Sequence, residues 1–243
     1  MDEKRALGLD ISWWQDDNTT PRKVNFDKAK LNGAEFVFIK ASQQVADEDF
    51  KDNWKAAKAA GLLRGAYHYL DFRKSEMDQA KLFVSQMGGD WGELPPVVDF
   101  EQTPSQLVPP LIMSAALMRG KLWNFLQYVE AQTGKIPMIY TGYYFWREFG
   151  NTNVEWAKYP LWLPWYNSET WIKICTKGGT GAPLPWTKWT FWQFTDRLDG
   201  IAFGCESKQV DGNYYNGTVD DLRAWVKPTP VVRCPTCGQV IGA

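Results

Sequence analysis

Two carboxylates stand two residues apart in the segment PPVVDFEQ, residues 95–102. Alternate side chains of a β-strand point to the same face, so Asp99 and Glu101 share one face, with their Cα atoms about 6.5 to 7 Å apart. Glycoside cleavage uses such a pair: one carboxyl group stays protonated to donate to the leaving oxygen, and the other stays ionised. A close, partly buried pair separates its proton affinities, because both groups cannot readily be charged together. The spacing therefore predicts an acid and its ionised partner.

Two further acids occupy comparable places in the sequence. Asp10, in GLDIS, ends the first strand-like run, and Asp211, in QVDGNYY, lies in the last one. Closure of a barrel brings the last strand beside the first, and barrel active sites lie at the C-terminal ends of the strands. We expect the four acids to converge from three strands. For any one of these Asp residues alone, a turn or a helix cap is the alternative.

Aromatic side chains are abundant, with 14 Trp, 10 Tyr and 13 Phe. Sugar rings present apolar C–H faces, so exposed aromatic rings beside acids would form a saccharide cleft. The candidates for substrate binding at or near strand ends are Tyr67, Tyr69, Tyr140, Trp162 and Trp192. Packing within the sheet is the alternative for each of them.

Lys40 and His68 are the remaining candidates within strands. A lysine at the end of an apolar strand is costly unless it is paired or solvated in a cleft, so we expect Lys40 to meet Asp99, Asp10 or the substrate. His68 is the only histidine, which excludes a metal site built from several histidines. Either His68 or the flanking tyrosines face the barrel interior, and a structural role is expected for His68. No GxSxG motif occurs.

The cysteines are Cys175, Cys205, Cys234 and Cys237. They are too few for a disulfide framework in a chain of this length. The segment CPTCG offers two of the four thiolates of a structural zinc site, with Cys234 and Cys237 as ligands. Cys175 and Cys205, or a second chain, could complete it, and unligated thiols are the alternative. We expect no cofactor for catalysis and no metal in the active site.

Length and charge limit the class of protein. The 243 residues fit one α/β barrel, and 27 Lys plus Arg against 28 Asp plus Glu give no overall attraction to nucleic acid. No apolar run is long enough to insert into a membrane, and MDEKRALGLD contains no signal segment. We expect synthesis in the cytoplasm; the oligomeric state is left open.

The elements that must position these side chains follow a βα pattern in the first two thirds of the chain. Five strand-like runs are 6–12, 35–42, 63–70, 94–101 and 136–142. Helices are predicted before Gly33, before Gly61, over about 110–132 with Pro110 in the first turn, and over 219–226. Strands at YPLWLPWYN, KWTFWQFT and SKQVDGNYY are joined by segments without helical periodicity. We expect a single TIM-like barrel of (β/α)5(β)3 type over 1–227, followed by a linker and tail over 228–243.

Eight motifs in order over about residues 7 to 225 resemble the glycoside hydrolase family 25 lysozymes, a family that includes phage endolysins. They are GLDIS, FVFIKAS, GAYHYL, PPVVDFEQ, PMIYTG, LWLPWY, FWQF and VDGNYY. The resemblance implies a barrel with a helix-poor second part and hydrolysis of the β-1,4 bond between N-acetylmuramic acid and N-acetylglucosamine in peptidoglycan. It implies that Glu101 is the general acid and base, Asp99 its partner, and Asp10 and Asp211 further acids of the cleft. A phage protein of this kind would act on the host cell wall after its release.

The sequence departs from the commoner family pattern in two places. VDGN replaces VDLN, and 173–186 reads as an enlarged loop. A chitinase-like enzyme is an alternative, but Pro95, Pro96, Val97 and Val98 stand where that class has further acids of a DxxDxDxE series. A catalytically silent glycan-binding barrel is a second alternative, against which the four intact acids argue.

Overall fold

The structure, a computed structural model, describes residues 5–16, 23–101, 113–168, 170 and 181–227. Eight strands form a closed barrel in which each strand pairs with its neighbours in sequence, and the last pairs with the first. The strands are Arg5–Ile11 (β1), Ala34–Ser42 (β2), Leu63–Tyr69 (β3), Val97–Asp99 (β4), Met138–Tyr140 (β5), Leu161–Pro164 (β6), Phe191–Asp199 (β7) and Gln209–Thr218 (β8). The predicted barrel is confirmed.

Helices fill the connections in the first part of the barrel. They are Phe26–Leu31 (α1), Phe50–Ala59 (α2), Glu76–Met87 (α3), Ala115–Thr133 (α4), Tyr143–Phe149 (α5) and, after the last strand, Val219–Val226 (α6). Short 3-10 helices span Trp13–Gln15 and Val154–Lys158. Residues 200–208, between β7 and β8, contain no helix. The helix-poor second part is therefore confirmed for that connection, while much of the connection between β6 and β7 lies outside the described residues.

The start of α4 corrects the sequence-based prediction. Ser114 caps the helix, because its side chain accepts a hydrogen bond from the Leu117 amide, and helical structure begins at Ala115. Pro110 lies outside the described residues. At the other end the prediction is confirmed, since Gly134 ends the helix in the left-handed conformation with φ of 68°.

The direction of the last strand differs from a fully parallel barrel. Strands β1 to β7 run parallel, whereas β8 is antiparallel to both β7 and β1. The beginning of β8 therefore lies at the same mouth of the barrel as the C-terminal ends of the other strands. Asp211 pairs directly with Asp10 in this register.

The core has two layers because each strand buries both faces. Phe36, Phe38 and Phe191 pack inside the barrel, with Phe36 and Phe191 ring centroids 5.0 Å apart. Gly8 and Gly65 make room for them: a Cβ atom at either glycine would lie 2.4 Å from a phenylalanine ring. The outer layer packs between the strands and the helices. The filled interior leaves the strand ends as the place for polar side chains.

No helix in the described part of the chain is long and apolar enough to cross a membrane.

Candidate active site

A pocket of about 290 Å³ opens at the mouth of the barrel where the strands β1 to β7 end. The polar and aromatic side chains that line it include Asp10, Lys40, Tyr67, Tyr69, Asp99, Glu101, Tyr140, Trp162, Gln193 and Asp211. The four acids come from β1, β8 and the end of β4, which is the convergence that the sequence predicts. Within the described residues, no group of three or more His, Cys, Asp or Glu side chains could hold a metal ion.

Asp99 and Glu101 form the acid pair in this pocket. Asp99 is only 6% exposed, and its Oδ1 atom has no hydrogen-bond partner among the described residues. Burial, followed by the neighbouring Glu101 charge, raises the pKa of Asp99 well above its usual value. Burial, followed by the charge of Asp10, raises the pKa of the half-buried Glu101 to about 7. Because two charges in this space repel each other, the pair retains a proton near neutral pH.

Lys40 is the only basic side chain among the described residues that line the pocket. Its Nζ donates to Gln43 Oε1 at 3.0 Å and lies 5.5 Å from the ring centroid of Tyr69. No ion pair within 4 Å joins it to an acid of the described pocket. Its positive charge nevertheless acts to lower the pKa values of both Asp99 and Glu101, against the larger effect of burial, which raises them. The expected direct contact with Asp99 or Asp10 is replaced by this longer-range interaction.

Asp10 and Asp211 form a second acid pair, bridged by a glutamine. Gln193 Nε2 donates to Asp10 Oδ2 at 2.9 Å and to Asp211 Oδ2 at 3.0 Å. Asn213 Nδ2 donates to the same Asp10 oxygen at 2.7 Å. Burial raises the pKa values of both acids, that of Asp211 to about 9, and the neighbouring Asp10 contributes to the raised pKa of Asp211.

Gln193 connects this pair to two tyrosines. Its Oε1 atom accepts hydrogen bonds from Tyr140 Oη and Tyr166 Oη, both at 2.8 Å. Since both phenols donate to the oxygen, the two amide hydrogens point to the acids. Sequence analysis missed Gln193, although a single polar residue in the apolar run FWQF is a signal for a side chain that faces the interior at the barrel mouth.

The aromatic candidates divide into two groups. Tyr67, Tyr69, Tyr140 and Trp162 line the pocket as predicted, although Trp162 is 2% exposed and stacks on Phe38 inside the barrel. Trp192 lies on the opposite face of β7, in the outer core, and its Nε1 donates to the Trp165 carbonyl at 2.7 Å. The prediction that Trp192 lies in the cleft is therefore not met, because alternation on the strand gives the inward position to Gln193.

The rings that are open to solvent at the mouth come from a 3-10 helix, from the start of α5 and from the loop after β6. Trp14 is 65% exposed and stacks on Trp13, with ring centroids 3.8 Å apart. Tyr144 and Tyr166 are also exposed. Sequence analysis missed all three, although each lies within four residues of the end of a strand, where barrel active sites are built.

His68 faces away from the pocket, and its predicted structural role is confirmed. Its Nδ1 lies 2.8 Å from Ser42 Oγ and its Nε2 lies 3.1 Å from Gln79 Oε1. Burial lowers its pKa to about 4. Cys205 is a buried free thiol, whereas Cys175, Cys234 and Cys237 lie outside the described residues.

Comparison with known proteins links this chain to one family. The sequence matches the family model for glycosyl hydrolases family 25 over residues 9–200. It is 34% identical to the uncharacterized protein YegX of Escherichia coli K12 over 92% of this chain and 75% of that protein. It is 32% identical to Lysozyme M1 of Streptomyces globisporus, over 94% of this chain and 74% of that protein. A family GH25 lysozyme from Aspergillus fumigatus superposes with a TM-score of 0.73 at 30% identity, over 93% of this chain and all of that one.

Proposed function

The chain belongs to glycosyl hydrolase family 25, and from this premise we propose that it is a lysozyme in which Glu101 is the general acid. The bond cleaved is the β-1,4 linkage between N-acetylmuramic acid and N-acetylglucosamine of bacterial peptidoglycan. The observation that carries the residue assignment is the convergence of Asp10, Asp99, Glu101 and Asp211 on one pocket at the barrel mouth.

Glu101 is suited to the donor role. Its raised pKa of about 7 keeps a substantial protonated fraction near neutral pH, so it can protonate the glycosidic oxygen as that oxygen leaves. After departure of the N-acetylglucosamine end, the same carboxylate takes a proton from the attacking water. The water oxygen forms the new bond to the muramic acid anomeric carbon.

Asp99 is proposed to orient the substrate's 2-acetamido group. The buried Oδ1 atom lacks a hydrogen-bond partner among the described residues, and it can accept the acetamido N–H. The acetamido oxygen then attacks the anomeric carbon while Glu101 protonates the leaving oxygen, and water opens the cyclic intermediate. Lys40 favours the ionised form of Asp99 in this step. A covalent glycosyl adduct on Asp99, detected by mass spectrometry, would contradict this role.

Asp10 and Asp211 are proposed to share protons rather than to donate to the substrate. Gln193 holds one oxygen of each within 3.0 Å of a single amide nitrogen. The charge of Asp10 contributes to the raised pKa of Glu101. Asp10 therefore helps to keep the catalytic acid protonated.

The sugars at the new reducing ends of the products identify which glycosidic bond is cut. Purified peptidoglycan is digested, the new ends are reduced with borohydride, and the sugar alcohols are identified by mass spectrometry. Reduced muramic acid is expected. Reduced glucosamine, or cleavage of chitin without cleavage of peptidoglycan, would instead support the chitinase-like alternative. Binding without new ends would support the inactive glycan-binding alternative. A role as a phage endolysin stays a prediction.

A further inference from the structure

A groove of about 750 Å³ lies at the end of the barrel opposite the active-site pocket. Its walls come from three segments: 92–95 before β4, 134–136 before β5, and 225–227 at the end of α6 and just beyond it. Because β4 and β5 begin here and end at the pocket, the barrel separates this groove from the catalytic acids. A ligand in the groove would not touch those acids.

The wall of the groove is apolar and partly open to solvent. Ile136 is 45% exposed and Trp225 is 38% exposed. The indole of Trp225 also packs on Phe191 and Tyr215, with ring centroids 5.9 and 5.8 Å apart. Since this packing already orders the indole, a ligand that covers it buries apolar surface at little cost in entropy. Exposed apolar surface within a groove indicates a segment that docks there.

Two of the three charged side chains that line the groove in the described residues are already bound to the barrel. Lys135 Nζ donates to three carbonyl oxygens of the segment 92–94, at 2.6, 3.2 and 3.3 Å. Glu93 Oε1 accepts a hydrogen bond from Arg64 Nη2 at 2.9 Å. The third charged residue is Lys227. These contacts leave the apolar side chains as the main surface that a ligand would recognise, which favours an apolar segment over an ionic ligand.

The chain itself delivers such a segment to the groove. Val226 ends α6, and Lys227 is extended, with φ of −65° and ψ of 135°, the conformation favoured before proline. Lys227 belongs to the wall of the groove, and the sequence continues with PTPVV, residues 228–232. Five extended residues span about 17 Å, so the whole of this segment stays within reach of a groove whose wall includes Lys227.

We propose that residues 228–232 dock in this groove, with their proline and valine side chains covering Trp225 and Ile136. Proline fixes one backbone angle and lacks an amide donor, so the segment loses little entropy on docking and leaves fewer polar groups without partners. Proline-rich segments bind aromatic-lined grooves in extended form for this reason. Docking would hold the CPTCG segment that follows at the end of the barrel opposite the pocket.

Trypsin tests this docking, because Arg233 is the only lysine or arginine after Lys227 and trypsin does not cleave before Pro228. The full chain is treated with trypsin, and the initial rate of release of residues 234–243 is measured by mass spectrometry. A metal chelator is present, so that bound zinc cannot protect the tail. A docked segment must leave the groove before the protease binds it, so the rate follows the fraction of undocked chains.

Ile136→Ser and Trp225→Ala each remove a large apolar side chain from the wall of the groove. Either change is expected to raise the rate of release about three- to tenfold, the effect of a lost apolar or aromatic contact. Ile201→Ser changes a similarly exposed isoleucine, 51% exposed and located between β7 and β8, and is the matched control. It should release the fragment at the wild-type rate.

The two groove variants distinguish docking from fraying of the helix end, because Ile136→Ser leaves α6 unchanged. A faster release in Trp225→Ala alone, or release at the wild-type rate in both variants, would overturn the proposal. A wild-type rate that falls as the protein concentration is raised would also overturn it, because the groove would then hold the tail of a second copy. None of these outcomes depends on cleavage of peptidoglycan.

Discussion

Gln193→Glu changes one atom type at the centre of the hydrogen-bond network and leaves the shape of the side chain unchanged. In the wild-type protein, Nε2 donates to Asp10 at 2.9 Å and to Asp211 at 3.0 Å. The variant places an acceptor oxygen opposite these two acceptors. It loses two hydrogen bonds, each worth about 0.5 to 1.5 kcal/mol to a neutral acceptor and about 1.5 to 3 kcal/mol to a charged one.

The variant can relieve this conflict by binding a proton. The introduced carboxyl group would then donate to one acid, so its pKa in the folded state lies above the unfolded value of about 4.3. A raised pKa means that the folded state binds more protons, so stability is lost as pH rises from about 4.3 towards the folded pKa. Each pH unit between the two pKa values costs about 1.4 kcal/mol, so with a folded pKa above about 7 the deficit relative to wild type grows by about 2.7 kcal/mol between about pH 5 and about pH 7.

Urea denaturation followed by tryptophan fluorescence measures this deficit. Wild type, Gln193→Glu and the exposed control Gln209→Glu are unfolded at both pH values, and the difference in the free energy of unfolding from wild type is compared. The control should show no comparable pH dependence. A deficit for Gln193→Glu that is the same at both pH values would refute the argument, because it would mean that the amide nitrogen does not face the acids.

Three further predictions concern catalysis, stability and the tail. The kcat/KM for peptidoglycan should fall as pH rises through about 7, where Glu101 loses its proton. Lys40→Met removes a charge that lowers the pKa of Glu101, so the fall in kcat/KM should move to higher pH in this variant. A fall at the same pH as in wild type would contradict the electrostatic role of Lys40. Because burial lowers the pKa of His68 to about 4, His68 should contribute a loss of about 3 kcal/mol in the unfolding free energy of the wild type as pH falls from about 6.5 to about 4. Urea titrations should show a smaller loss for His68→Gln, and an equal loss would exclude His68 as its source. Removal of residues 229–243 should leave peptidoglycan cleavage intact and insensitive to a zinc chelator, whereas loss of activity would show that the tail is needed.

The fold and the four acids could be predicted because they depend on local patterns and on strand order. Asp99 and Glu101 share a strand face through alternation alone. Closure of the barrel places Asp211 beside Asp10, and the register pairs them directly. These relations hold without knowledge of side-chain packing.

Other features depend on tertiary contacts that sequence patterns do not specify. Trp192 and Gln193 are neighbours on β7, and only the packing of the outer core decides that the indole faces outward. The beginning of α4 depends on the Ser114 cap rather than on the earlier Pro110. The role of Gln193 comes from four partners that are distant in sequence, at residues 10, 140, 166 and 211.

The most direct test of the central claim is the rate at which purified peptidoglycan releases reducing sugar with wild-type protein and with Glu101→Gln. The amide keeps the shape of the side chain but cannot donate a carboxylic acid proton, and general acid catalysis contributes about 10²- to 10⁴-fold to such rates. A loss of this size is expected, with the urea unfolding curve of the variant showing that it remains folded. Equal rates for the two proteins would contradict the assignment of Glu101 as the general acid.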